Sequence, residues 1–470
     1  MSHNIKSDFA LRQLSIEDDR IDFEWIDPRH TAMETLLRKL SKEKGYKINT
    51  MGHLCQPFNG KTADQYVTSG VPIIKLRNIT NDGINWDTDF VLKTFYDENP
   101  KTHTQINDLL VTSTGEGTIG RVAIMDKNID CMCAVDISIL RIDPLKIQPV
   151  YLLHYLRSFL GQMQFERYTV GSTGQTHLKS LSKFLVVYPE LISEQIEKAK
   201  ISETYMEMVR QQKSVYHGEI QKANINFFSD QESLQPSQFF QHQLSNADVR
   251  WNMDYLDPRH KVMDKIVHSF VADGKFESNV LANSADPLCE ISRGKTANLY
   301  VSSGIPILKV RNVTGNGINW KTHFVLKTFY DENPKCHLRK EDILLTSTGE
   351  GTIGRVDIFT DDFSCIADGH VTIIRVKQCQ KILPAYLAYF LRSRFSQMQF
   401  ERFTVGSTGQ TELNREDIKK VVIVYPKSLE SQKELAESAF NYQQKAIQAK
   451  TEYRRYIELA KEEFVKAIGL

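Results

Sequence analysis

Short runs of alternating or β-branched residues, broken by Gly, Pro and Asn, fill the stretch from about residue 70 to residue 142: VPIIKLRNI, NDGINW, FVLKTFY, DLLVTST, RVAIM and ISILRI. Alternation of this kind predicts strands. The period then changes. PVYLLHYLRSFLGQMQFERY (149–168) sets Leu152, Leu153, Leu156, Phe159, Leu160 and Met163 near helical spacing and predicts one helix. FLVVYP follows as a closing strand stopped at Pro189. The same succession recurs later in the chain and ends at VVIVYP, with Pro426. Each pass predicts an α+β domain with flanking helices and a mostly antiparallel or irregular sheet.

A long helical stretch follows each domain. Residues 190–222 carry Ile192, Ile196, Ala199, Ile201, Tyr205, Met208 and Val215 in steps of three and four, interrupted once. Residues 428–468 are more regular: Leu435, Ala439, Tyr442, Ala446, Ala449, Tyr453, Tyr456 and Ala460 form a seam with coiled-coil spacing. At 1.5 Å per residue these helices reach roughly 45–60 Å. The polar, Gln/Ser-rich residues 223–247 read as a connector.

The two passes are copies. Residues 60–122 align with 294–356 without a gap, and 45 of the 63 positions are identical. Outer markers repeat as well: WIDPRH (25–30) with YLDPRH (255–260), YLLHYLRS with YLAYFLRS, and TVGSTGQT (169–176) with TVGSTGQT (404–411). The period far exceeds the roughly 20–50 residues of a solenoid, so a whole domain is duplicated. The expected organisation is a first domain at 1–189, a helix at 190–222, a connector at 223–247, a second domain at 248–427 and a final helix at 428–470.

Composition narrows the function. The 470 residues carry a net charge of +1 and about two fifths hydrophobic residues, ordinary for a globular protein. No apolar run approaches the roughly 18 residues that span a bilayer, and the first residues lack a signal-peptide core, so a cytoplasmic protein is expected. The seven cysteines show no metal-ligand spacing and read as reduced thiols. Basic residues gather locally, as at Arg141, Lys146, Arg157, Arg167, Lys179 and Lys183, and again at Arg375, Arg392, Arg394, Arg402 and Arg415. Such clustering fits either a nucleic-acid face on a neutral protein or a solvated surface.

Several motifs fail on context. GEGTIG, at 115–120 and 349–354, satisfies a dinucleotide fingerprint literally, but strand sequences follow it where a helix is required. GKT, at 60–62 and 294–296, lacks the earlier glycine of a phosphate loop; Cys55 and Cys289 stand there. Nuclease, methyltransferase and serine-hydrolase residue sets are not found, and His30 and His260 read as satisfied structural histidines. A scaffold without chemistry of its own, and without a cofactor of its own, is expected. GSTGQT, small, polar and placed after a basic helix, suits phosphate positioning and base-edge contact, or a plain turn.

TSTGEGTIGRVAI and VGSTGQTHLKSLSKFLVVYP, each followed by a long helix and each repeated, resemble the specificity (S) subunit of type I restriction–modification systems; RIDFEWIDPRH (20–30) resembles that family's domain entry. The resemblance spans about residue 18 to about residue 468. It implies two target recognition domains separated by two long antiparallel coiled-coil helices with pseudo-two-fold symmetry. It implies double-stranded DNA and methyltransferase (M) subunits as partners, with S-adenosylmethionine bound by those subunits. Restriction/translocase (R) subunits are further candidates. Near-identical domains lead to the expectation of two similar, inverted half-sites. The other readings are a stand-alone dual-domain DNA-binding regulator, the specificity subunit of another multisubunit methyltransferase or phage-defence system, and a coiled-coil assembly protein.

Shared polar residues are the candidate DNA contacts: Lys75, Arg77 and Asn78 with Lys309, Arg311 and Asn312; Ser113, Thr114 and Glu116 with Ser347, Thr348 and Glu350; Arg167, Ser172, Thr173 and Gln175 with Arg402, Ser407, Thr408 and Gln410. Arg and Lys suit phosphate or guanine, and Asn and Gln suit adenine. The copies differ at Asp64/Asn298, Gln65/Leu299, Asp87/Lys321, Asp89/His323, 102–107 against 336–341, and Asp136/His370, where half-sites would diverge.

Overall fold

The structure, a computed structural model, describes residues 27–115, 117–170, 175–223, 259–272, 274–282, 285–349, 351–406 and 411–470. Glu116, Ser172, Thr173, Glu350, Ser407, Thr408, Gln410 and nearly all of the connector lie outside them. The chain divides into two compact units. Unit 1 comprises residues up to Lys213 together with Lys450–Leu470, and unit 2 comprises Ser214–Ala449.

In unit 1, helix α1 (Pro28–Lys44) is capped by Asp27, whose carboxylate accepts the Arg29 N–H, and ends at Gly45 in the left-handed conformation. Strand β1 (Lys47–Thr50) will pair with the closing strand. Strands β2 (Cys55–Asn59), β3 (Val71–Ile74) and β4 (Asp89–Val91) follow. The run FVLKTFY, expected as a strand, is strand only to Val91; Lys93–Asp97 forms the short helix α2. Strand alternation fails there because Leu92 and Lys93 are both exposed, whereas Tyr96 turns inward and stacks on His103 at 3.5 Å. Next come β5 (Leu109–Thr112), β6 (Val122–Ile124), β7 (Met132–Cys133) and β8 (Ile137–Ile142).

One sheet has the order β2-β8-β5-β6, all antiparallel. A second has the order β4-β3-β7, with β3 parallel to β7. The single helix expected over 149–168 is two, α3 (Pro149–Arg157) and α4 (Phe159–Tyr168), broken at Ser158. The break is tight: a Cβ on Gly161 would lie 2.4 Å from the Leu156 Cα, so the second helix packs directly on the end of the first. Strand β9 (Leu185–Tyr188) pairs antiparallel with β1, and α5 (Ile192–Ala223) leaves the unit.

Unit 2 repeats the plan. Helix α6 (Arg259–Ala272) and β10 (Phe276–Val280) correspond to α1 and β1. Strands β11 (Cys289–Arg293), β12 (Ile305–Leu308), β13 (His323–Val325), β14 (Ile343–Thr346), β15 (Val356–Ile358), β16 (Ile366–Ala367) and β17 (Val371–Val376) form sheets β11-β17-β14-β15 and β13-β12-β16. FVLKTFY again turns helical, as α7 (Lys327–Glu332). Helices α8 (Pro384–Arg392) and α9 (Arg394–Phe403) break at Ser393. Strand β18 (Val422–Pro426) pairs with β10, and α10 (Leu429–Ile468) closes the chain.

Helices α5 and α10 pack antiparallel within the units. Ser202 Oγ donates to the Ala460 carbonyl at 2.8 Å, the Tyr205 and Tyr456 rings lie 6.3 Å apart, and Met206 and Val209 bury against Ile457 and Ala460. The seam expected on α10 is observed as buried or half-buried positions. On α5 the buried side is shifted: Gln195, Ala199, Ser202, Met206 and Val209 are inside, whereas Ile196, Ile201, Met208 and Val215 are exposed. Small and polar residues admit close helix approach there, which an apolar count does not register. The last turns of α10 reach the unit 1 core, where Phe464 and Ile468 are fully buried and Phe464 meets the Tyr151 ring at 5.2 Å.

Two arginines, Arg157 buried and Arg392 nearly so, occupy equivalent places with unequal support. Arg392 donates to the Val356 carbonyl, to Gln443 and, at 2.9 Å, to Asp357, which is fully buried and also accepts the N–H groups of Thr314, Gly315 and Gly317. In unit 1 Ala123 stands where Asp357 would be. Among the described residues Arg157 keeps only the bond to the Val122 carbonyl, and burial lowers its pKa to about 10. His30 is buried as expected but is not satisfied: neither ring nitrogen has a hydrogen-bond partner among the described residues, and burial lowers its pKa. Cost falls on the charged form, so the ring stays neutral.

Asp357→Ala leaves the Arg392 guanidinium buried beside three unpaired N–H groups, and is expected to destabilise unit 2 by about 3–5 kcal/mol in urea unfolding of the full chain. A pH dependence follows from His154, whose Nε2 meets Glu203 Oε1 at 2.6 Å. Burial pushes the imidazole pKa below 6.5 despite the carboxylate, while His154 holds Glu203 below the usual range. The unfolded chain then takes up a proton that the folded one refuses. Stability contributed by His154 is present above its unfolded value and is lost as pH falls through the window beneath it. The unfolding midpoint should drop as pH falls below about 6.5, and His154→Tyr, the residue at the equivalent Tyr389, should flatten that drop.

Candidate nucleic-acid interface

The loop after β3 places the first candidates. In unit 1, Lys75 precedes a single 3-10 turn, Leu76–Asn78. Asn78 is fully buried: its Oδ1 accepts the Lys75 N–H, and its Nδ2 donates to the carbonyls of Asn85 and Asp87. Asn312 makes the same three bonds with Lys309, Asn319 and Lys321. With both ends of the amide engaged, these two side chains hold the loop in shape and have no edge left for an adenine. Lys75 and Arg77 are the residues so presented. Lys75 Nζ sits 3.4 Å from the Tyr66 ring centroid, and both cations pair with Asp89, at 2.6 Å and 2.8 Å. The Lys75 ammonium and then Arg77 hold the Asp89 carboxyl below the usual carboxylate range.

The glycine-bearing turn between β5 and β6 supplies the opposite wall. Gly115, Gly117 and Gly120 all have positive φ, and strand follows, so the dinucleotide reading is excluded by the observed connection. Ser113 is buried, its Oγ donating to the Asp136 carbonyl. Thr114 Oγ1 donates to the Asp136 carboxylate at 2.9 Å. The Thr114 backbone bridges to Gln175, which is exposed. An open cleft results, lined by Thr62, Tyr66, Lys75, Arg77, Arg121 and Asp136 among others. Lys75 and Arg77 line this cleft, Thr114 reaches its Asp136 wall, and Gln175 lies beside Thr114. Arg167 does not reach it: the residue is buried on α4 and pairs with Glu34 of α1.

Unit 2 repeats the frame with other charges. Lys309 Nζ lies 3.6 Å from the Tyr300 ring centroid, and the His323 ring, in the place of Asp89, lies 5.0 Å from the same ring. His323 Nδ1 is buried without a hydrogen-bond partner among the described residues; loss of solvent, then Arg311 and Lys309, push its pKa down. Ser347 is buried against the His370 carbonyl, and Thr348 Oγ1 meets His370 Nδ1 at 2.8 Å. Arg402 is half-buried on α9. The residues that sequence reasoning missed, Tyr66/Tyr300 and Arg121/Arg355, are identical in the two copies, a signal hidden among many identities that serve only the fold.

Comparison with known proteins agrees with this frame. The family model of the type I restriction modification DNA specificity domain matches residues 43–214 and again 286–458. The chain belongs to that family, and two such domains make it a DNA specificity subunit of a type I restriction–modification system. The match to two separate stretches mirrors the two compact units.

No curated protein sequence matches significantly. Among solved structures, the chain is similar to the type I restriction–modification S subunit from M. genitalium (14% identity, 90% of this chain and 96% of that one, TM-score 0.45). It is also similar to a chain described under complex assembly and conformational transition of the type I R-M system (15%, 90% and 97%, 0.43), and to the HsdS subunit from Thermoanaerobacter tengcongensis (16%, 90% and 96%, 0.32). The family match carries the assignment. No helix among the described residues is long and apolar enough to cross a membrane.

Asn78→Ala removes three hydrogen bonds and leaves the Lys75 N–H and two carbonyls without their partner. Hydrogen exchange should show faster opening of residues 75–89, with a loss of about 1–3 kcal/mol in local stability.

Proposed function

We propose that this chain is the non-catalytic reading subunit of a cytoplasmic adenine methyltransferase complex, and that each unit reads one half of a bipartite DNA target. The observation that supports this best is the repetition of one face, a cation-bearing loop opposite a glycine turn, on two units that each continue into a long helix. Lys75, Arg77, Thr114 and Gln175, with Lys309, Arg311 and Thr348, are the described candidates for DNA contact. Similar faces favour similar half-sites in inverted orientation.

Methyltransferase subunits, which bring S-adenosylmethionine, dock along the helices. Exposed Ile201, Met208 and Val215 recur every seven residues on α5 and offer an apolar stripe for that contact. A restriction/translocase subunit joins in the same way as a further partner. The 32-residue and 40-residue helices act as the ruler between half-sites. Deleting one heptad from 190–222 should shorten the unread spacer in the host methylome by roughly 10 Å, about three base pairs. An active variant with an unchanged spacer would overturn the ruler, and unrelated half-sites would overturn the inverted repeat.

A further inference from the structure

The two reading faces share a backbone and differ in charge at three equivalent positions. In unit 1, Asp87, Asp89 and Asp136 stand among Lys75, Arg77 and Arg121; in unit 2, Lys321, His323 and His370 stand among Lys309, Arg311 and Arg355. Asp89 is the pivotal position, since its two oxygens take both cations of the loop, Lys75 at 2.6 Å and Arg77 at 2.8 Å. The imidazole that replaces it accepts from neither cation. Among the described residues Lys309 and Arg311 make no ion pair, and Arg311 is exposed.

The surroundings of the change are held constant. The loop is fixed in both units by the same buried asparagine, and the lysine lies over the same tyrosine ring. The opposite wall differs in the same sense: the threonine of the glycine turn donates to the Asp136 carboxylate in unit 1 and meets the His370 ring in unit 2. Two duplicate faces therefore present different fields to an approaching polyanion.

We propose that the Asp89/His323 exchange, seconded by Asp136/His370, makes the two units unequal DNA readers: unit 2 grips backbone phosphates through Lys309 and Arg311, while unit 1 holds the equivalent pair in an internal ion bridge. The inference rests on the DNA-reading assignment and adds to it a division of labour. Most of the salt-dependent affinity belongs to unit 2, because a cation already neutralised by a carboxylate releases fewer counterions on binding. In unit 1, contact with DNA must compete with Asp89 for Lys75 and Arg77. The half-site under unit 1 is then selected more by fit and less by charge.

The test uses the full chain, co-purified with its methyltransferase subunits, and a fluorescent 40-base-pair duplex of random sequence, with affinity measured across a salt series. Each phosphate contact contributes about 0.9 to the slope of log K against log salt. His323→Asp should lower the slope by about 1–2 and weaken binding at low salt, whereas Asp89→His should raise it by about 1–2 and tighten binding. The gain in the second variant cannot arise from misfolding, and thermal melts check the first. Equal slopes for wild type and both variants would overturn the proposal while leaving the DNA-reading assignment intact. A wild-type complex that binds no duplex would overturn both.

Discussion

Each reading unit depends on one buried glutamine at the root of its long helix. Gln195 and Gln432 are fully buried. The Oε1 of each accepts a backbone N–H at the start of the preceding helix pair, from Gln148 at 2.8 Å and from Leu383 at 2.8 Å. The Nε2 of each donates to the carbonyl that ends the closing strand, of Pro189 and of Pro426, again at 2.8 Å. One side chain thus joins three elements at a point that water does not reach. An apolar replacement would leave at least two buried backbone groups unpaired, which is more costly than the bonds are worth on the surface. The direction in which α5 and α10 leave their closing strands follows from this joint.

Much of this architecture was legible in the sequence because duplication supplied its own control. The order of strands, the helix after them and the two long helices stood out twice over, at Leu109–Thr112 and Ile343–Thr346 and at 149–168 and 384–403 alike. Short-range packing was less legible. FVLKTFY has the composition of a strand, yet Tyr96 finds its partner in His103, seven residues away, and that stack favours a helical turn. The break at Ser158 depends on Gly161 lying against Leu156, a contact that periodicity does not encode. On α5 Gln195, Ala199 and Ser202 share the interior with Met206 and Val209 while Ile196, Ile201 and Met208 face out, so a count of large apolar residues alone does not select the buried side.

The candidate face was only partly legible, for a related reason. Residue types that can contact DNA are also the types that organise turns. Asn78 and Asn312 serve their loops, Ser113 and Ser347 tie the glycine turn to the next strand, and Arg167 ties α4 to α1. Lys75, Arg77 and Arg121, with Tyr66 beneath, are presented outward. What separates the groups is burial, a three-dimensional fact: Asn78, Asn312, Ser113, Ser347 and Arg167 are closed off inside the fold, whereas Arg77 is exposed and Lys75 and Arg121 are half-buried. Sequence comparison of the copies did mark Asp89/His323 and Asp136/His370, because divergence within a nearly invariant frame is informative even where identity is not.

The last turns of α10 have a consequence for biosynthesis. Phe464 and Ile468 complete the core that begins with Met33 and Leu37. The N-terminal unit therefore cannot finish closing while the ribosome is still making the C-terminal one; it must wait until residue 468 has been translated. A nascent or prematurely terminated chain carries a first reader with an open, greasy flank, which chaperones and proteases recognise.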